Sequence, residues 1–155
     1  YCSITGFMHI LPNYLIIGGQ KCGTNSLYAY LANHPNVRPA LTKEIRFFDK
    51  YYQRGINWYK VCFPFKFDQN LHKGSIIAGE ATERYLEYPH APKRVREALP
   101  HVKLILLLRN PVDRAYSHYS MRFKAGKEKL SFEDAIDKEN ERTKDEYKKM
   151  ENDEN

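Results

Sequence analysis

Residues 14–31, "YLIIGGQKCGTNSLYAYL", limit what this chain can fold into more than any other stretch. They open with an apolar, β-branched run, which predicts a strand over 14–18 covered on both faces, as in a parallel sheet. Two glycines then turn the chain. Helix formers follow over 24–33, with Leu27, Tyr30 and Leu31 along one side, and His34-Pro35 ends the helix. Strand, tight glycine turn and helix make the first half of a βαβ unit. The expected class is therefore α/β, a parallel sheet flanked by helices.

The rest of the chain repeats the alternation. "SIIAGEAT" predicts a second short strand over 75–79 with Glu80 at its end, and "VKLILLL" a third, buried strand over 102–108. Between them "HAPKRVREAL" predicts a helix with Pro92 in its first turn. Asn110-Pro111 turns into another helix closed by Gly126 at C′. Ser131, with Asp134, offers the N-cap of a last helix that grows steadily more polar. Residues 35–55 read as an irregular loop with a charged centre, and "INWYKVCF" as a short helix. The 155 residues form one domain on this reading, a core over 12–126 and a polar helical tail over 127–155. Ligands of such folds bind at the carboxyl ends of the strands, which here carry the 18–24 loop and Arg109.

The net charge of +6 is unevenly placed: 18 Lys and Arg against 8 Asp and Glu in 1–126, then 7 against 11 in 127–155. The basic part suits an anionic ligand. Nucleic acid is disfavoured, because the basic residues are dispersed and no helix-turn-helix, zinc-finger or RRM pattern occurs. Cys2, Cys22 and Cys62 have no CxxC spacing, and the 6 histidines form no ligand pair, so neither a disulfide framework nor a metal site is expected. The apolar runs are too short to span a bilayer, and the N-terminus has no basic region before its apolar residues. A cytoplasmic location is the expectation, with a Golgi or other membrane-anchored context still open.

In the loop Gly18-Gly19-Gln20-Lys21-Cys22-Gly23-Thr24 the lysine precedes the last glycine. A nucleoside-triphosphatase loop has it after that glycine, together with a strand-end Asp for magnesium. Here "LILLL" ends in Arg109. The loop still suits an anion: Gly23 for close backbone approach, Thr24, Asn25 and Ser26 at a helix N-terminus, and Lys21 for charge.

"LIIGGQKCGTNSLYAYLANHPNV" resembles the 5′-phosphosulfate loop of sulfotransferases that use 3′-phosphoadenosine 5′-phosphosulfate (PAPS), above all the heparan sulfate type and its bacterial relatives. "KLILLLRNPVDRAYSHY" is similar to that family's 3′-phosphate motif, "KEIRFFD" to its K-E-P-x-F-F-D segment, and "GEATERYL" to its G-E-x-[ST]-P-x-Y-L segment. The resemblance implies a P-loop-like sulfotransferase fold with its C-terminal part missing. It also implies PAPS as co-substrate, no metal, and a carbohydrate or small-molecule acceptor. It assigns Lys21 to the departing phosphate oxygen, with Cys22, Gly23, Thr24, Asn25 and Ser26 beside it, and Arg109 and Ser117 to the 3′-phosphate. Glu44 matches the general base, and burial among Ile45, Phe47 and Phe48 would raise its pKa, against Lys43 and Arg46. Glu80 is the reserve candidate. Asn25, Ile45 and Glu83 depart from the pattern, the last two where proline is common. Ala81 stands where animal heparan sulfate members carry lysine, which points to the bacterial type. Two other readings stay open: a P-loop kinase or NTPase, and a non-catalytic nucleotide- or polyanion-binding module.

Overall fold

The structure, a computed structural model, describes residues 4–67 and 76–153. Its centre is a parallel sheet of four strands, β1 (Tyr14–Gly18), β2 (Val37–Pro39), β3 (Ile77–Ala81) and β4 (Lys103–Leu106), in the order β2-β3-β1-β4. The helices are α1 (Thr24–Ala32), α2 (Gly55–Lys60), α3 (Ala91–Ala98), α4 (Pro111–Lys124), α5 (Phe132–Asp137), α6 (Glu139–Thr143) and α7 (Glu146–Glu151), and the expected α/β class holds.

Strand β1 sends alternate side chains to two apolar layers. Leu15 enters a layer with Phe47, Phe48, Tyr59, Tyr85, Val95 and Leu99; Tyr14 and Ile16 enter one with Tyr28 and Val37. Leu15 and Ile16 are both 0% exposed, worth about 1.5–3 kcal/mol each by burial. On α1 the buried aromatic is Tyr28, while Tyr30, on the side of Leu27 and Leu31 in the sequence pattern, is 73% exposed.

Four boundaries differ from those the sequence predicts. β2 lies inside the expected irregular loop; it is three residues long, sits at the sheet edge and ends in proline, so it has neither the length nor the pattern of a strand. β3 runs two residues further than expected, past Gly79 and Glu80, and Ser75 lies outside the described residues. Gly79 here is no terminator: the Tyr14 ring lies against it, and a Cβ would stand 2.4 Å from ring atoms. β4 is an edge strand rather than a buried one, with Leu104 56% and Leu108, just beyond it, 79% exposed. The single polar helix expected near the C-terminus is three short helices. Ser131 does cap the first, its Oγ accepting from the Asp134 N–H at 3.1 Å, and Ala125-Gly126 closes α4 as expected. The last of the three returns to the core, where Met150 packs and the Tyr88 hydroxyl donates to the Asp153 carbonyl at 2.5 Å.

A buried carboxylate organises the side of the sheet that carries Phe47 and Phe48. Glu80, 0% exposed, accepts from the hydroxyls of Tyr59 at 2.6 Å, Thr82 at 2.8 Å and Tyr85 at 3.0 Å. Two of these donors also hold the 44–49 loop: the Tyr85 hydroxyl accepts from the Phe47 N–H at 2.9 Å, and Thr82 Oγ1 from the Arg46 N–H at 3.4 Å. Burying a carboxylate is costly unless it is hydrogen-bonded, and the three hydroxyls together with the Ile45 backbone supply those bonds. Burial still pushes the Glu80 carboxyl up, against the hydroxyl donors that pull it down.

Two outcomes are expected. Gly79→Ala drives a Cβ into the Tyr14 ring and should lower stability by about 1–3 kcal/mol in chemical denaturation, with part of the loss recovered when Tyr14 is made Leu. Because the raised pKa of Glu80 means that the folded state holds the proton more tightly than the unfolded chain, its contribution is fullest below the ordinary carboxylate range. That contribution fades as pH rises through the raised value. The stability of wild type minus that of Glu80→Gln should therefore fall with rising pH over that window, and a flat or rising difference contradicts the assignment.

Candidate functional site

The loop after β1 is pinned to the continuation of β4. The Gly19 N–H donates to the Leu107 carbonyl at 2.8 Å, and the Leu107 N–H to Gly18 at 2.9 Å. This brings Arg109, just past the strand, beside the loop, where its guanidinium donates to the Lys21 carbonyl at 3.4 Å. It is the Lys21 carbonyl, not the neighbouring Asp113, that Arg109 meets.

Gly23 is the N-cap of α1, with φ 92° and no side-chain cap on the helix. Nothing lies within 4 Å of where its Cβ would be, so the backbone conformation alone calls for glycine. The amides of Thr24, Asn25 and Ser26 therefore open the helix with no side chain satisfying them, an arrangement that suits an anion. Lys21 itself sits at φ 66°, a left-handed conformation that costs a non-glycine residue about 1–3 kcal/mol.

One cavity of about 270 Å³ gathers Lys21, Gly23, Thr24, Asn25, Arg109 and Ser117, six of the eight residues the sequence nominated for the donor. The other two stand apart from its lining: the Cys22 thiol faces the Gln20 carbonyl at 3.7 Å, and Ser26 is exposed. Two cations, two hydroxyls and a helix N-terminus fit a phosphate-bearing ligand. The cavity also holds a residue that sequence reasoning did not select. Glu83 lines it, and its Oε1 accepts from Thr24 Oγ1 at 2.6 Å. Its only mark in the sequence is that it replaces a proline.

Glu44 stands in a second cavity of about 190 Å³, with Gln20, Arg46, Glu83, Arg84 and Glu87. Glu83 is common to both. The condition under which burial would raise the Glu44 pKa is not met: Ile45, Phe47 and Phe48 are buried, whereas the Glu44 side chain is 51% exposed with Lys43 Nζ 3.9 Å away. Glu44 and Arg46 take φ 56° and 58°, and the Glu44 N–H donates to the Ala81 carbonyl at 3.1 Å. The strained turn throws both polar side chains to the cavity side while the aromatics fill the core. Asp49 holds Arg46 at 2.6 Å, which gives the aspartate of "KEIRFFD" a place in shaping the loop. Glu80, the reserve base, is enclosed by its three hydroxyl partners and faces neither cavity.

The chain matches the model of the sulfotransferase domain family over residues 11–150. It is 39% identical over 116 residues to the membrane-associated sulfotransferase kil1 of Dictyostelium discoideum, covering 75% of this chain and 24% of that protein. To the human heparan sulfate glucosamine 3-O-sulfotransferase 6 it is 41% identical over 109 residues, 70% of this chain and 30% of that one. A solved sulfotransferase from Alicyclobacillus acidocaldarius superposes with a TM-score of 0.69 at 34% identity, over 91% of this chain and 62% of the other. The chain thus spans less than a third of those two curated relatives. With the strand–loop–helix unit on the parallel sheet, these matches place the chain in the sulfotransferase domain family.

Proposed function

We propose that this domain transfers a sulfuryl group from PAPS to a hydroxyl or amine of a carbohydrate or small-molecule acceptor. The observation that carries the reading is the single cavity in which Lys21, Thr24 and Asn25 of one loop meet Arg109 and Ser117 from beyond β4. PAPS supplies the sulfuryl group and carries two anionic groups, a 5′-phosphosulfate and a 3′-phosphate, for the two cations of the cavity to serve.

Lys21 places a full positive charge at the loop that opens α1. A cation there favours the transition state over the ground state, because negative charge builds on the phosphate oxygen as its bond to sulfur breaks. The Arg109 guanidinium and the Ser117 hydroxyl are the pair offered to the 3′-phosphate. Glu44, in the cavity that shares Glu83 with the donor cavity, is positioned to take the proton that the acceptor hydroxyl or amine gives up as its new bond to sulfur forms. Its solvent exposure lets it pass that proton on to water. The similar Dictyostelium protein is named as membrane-associated, and no described helix here is long and apolar enough to cross a membrane. A cytoplasmic location is part of the proposal.

Lys21→Ala should weaken 3′-phosphoadenosine 5′-phosphate binding about tenfold or more in calorimetry, the scale of one charged hydrogen bond. Unchanged affinity would remove Lys21 from the site. Glu44→Gln should leave that affinity within about twofold while turnover drops by roughly 10²–10⁴, the usual worth of a general base. Loss of donor binding instead would make Glu44 a donor residue.

A further inference from the structure

Glu83 is an acidic side chain in a cavity whose other charged groups, Lys21 and Arg109, are both cations. Its carboxylate takes the Thr24 hydroxyl at 2.6 Å, a contact across 59 residues of chain. Thr24 is 1% exposed, so bulk water offers its hydroxyl little alternative. A hydroxyl has one proton to give. While Thr24 gives it to Glu83, it cannot give it to a phosphate oxygen.

The same carboxylate borders the cavity of Glu44, Arg46 and Arg84. In that cavity Arg46 is held by Asp49 at 2.6 Å, and Arg84 lies 3.5 Å from Glu87 in a pair whose side chains are about half exposed. The side chain of Glu83, at the start of a 3₁₀ turn (Glu83–Leu86) that follows β3, therefore stands on the boundary between the two cavities. On one side it competes for the anion site; on the other it would border the acceptor beside Glu44.

We propose that Glu83 is an internal anion of the donor cavity, competing with the donor for Thr24 and for the field of Lys21 and Arg109. Donor binding moves it to the Glu44 side. The inference rests on the donor reading above and adds an affinity-setting residue to it. Glu83 weakens the hold on the nucleotide, and since the bisphosphate product occupies the same cavity, it also hastens product departure, a step that often limits turnover. A purely structural Glu83, one that only braces α1 through Thr24, would do the opposite: its loss would loosen the cavity and weaken binding.

The test is calorimetric affinity for 3′-phosphoadenosine 5′-phosphate, at low and at high salt. The proteins are wild type, Glu83→Gln, Glu83→Ala, Lys21→Ala, and Glu97→Gln as a charge control on the exposed face of α3. Thermal unfolding of each variant establishes that it is folded. Glu83→Ala should bind roughly tenfold more tightly at low salt, the equivalent of one charge-assisted hydrogen bond no longer contested, and Glu83→Gln should bind more tightly by a smaller factor, through its lost charge alone. The gain should shrink at high salt, and Glu97→Gln should match wild type. Should Glu83→Ala fail to fold, Glu83→Gln is close in shape, keeps an acceptor for Thr24, and carries the test through its lost charge. Equal or weaker binding by the Glu83 variants, with Lys21→Ala impaired, overturns the role of Glu83 and leaves the donor reading standing. No binding by wild type overturns both.

Discussion

A carboxylate with no access to water, Glu80, is the point on which the side of the molecule that carries Glu44 depends. Its three hydroxyl partners come from α2, from the residue just after β3 and from the 3₁₀ turn that follows. Two of those hydroxyls reach onward to the backbone of Arg46 and Phe47. The 44–49 loop is thus held from behind by its backbone, leaving the side chains of Glu44 and Arg46 free to take the cavity side. A buried group that must be fully satisfied has few geometries open to it, and the loop inherits that restriction.

The proposed donor side is fixed by different means. Main-chain hydrogen bonds tie Gly18 and Gly19 to Leu107, and so link the glycine loop to the segment bearing Arg109. α1 begins at a glycine in a left-handed conformation, and its first amides are left uncapped by any side chain. Three non-glycine residues with positive φ, Lys21, Glu44 and Arg46, line or adjoin the two cavities. Each costs stability that the surrounding hydrogen bonds must offset, and strain of this kind is held where a side chain has to be aimed. Lys21 and Glu44, nominated from sequence for the transfer itself, are two of the three.

That Lys21, Gly23, Thr24, Arg109 and Ser117 share one cavity was legible in the sequence because most of its parts are local. Lys21, Gly23 and Thr24 fall within one turn of chain, and Arg109 follows a strand readable from its apolar run. The parallel α/β class was legible for the same reason. What escaped was long-range. β2 is recognisable only by its pairing with β3, since three residues ending in proline have no periodicity to read. Gly79 reads as a terminator in sequence, yet it belongs to a strand because an aromatic ring from β1 needs the space. Whether Glu44 is buried with its apolar neighbours could not be read from the sequence, because a left-handed turn separates its side chain from theirs. Glu83 meets Thr24 across 59 residues, and no local pattern announces a contact of that kind.

We propose that the cavity of Lys21, Arg109 and Ser117 recognises a nucleotide by its 3′-phosphate and needs no divalent cation to do so. It is tested most directly by calorimetry in EDTA, titrating 3′-phosphoadenosine 5′-phosphate and ATP separately into wild type and Arg109→Ala. Wild type should clearly prefer the bisphosphate, and the variant should have lost most of that preference. ATP binding as tightly as the bisphosphate, or an undiminished preference in Arg109→Ala, would contradict it.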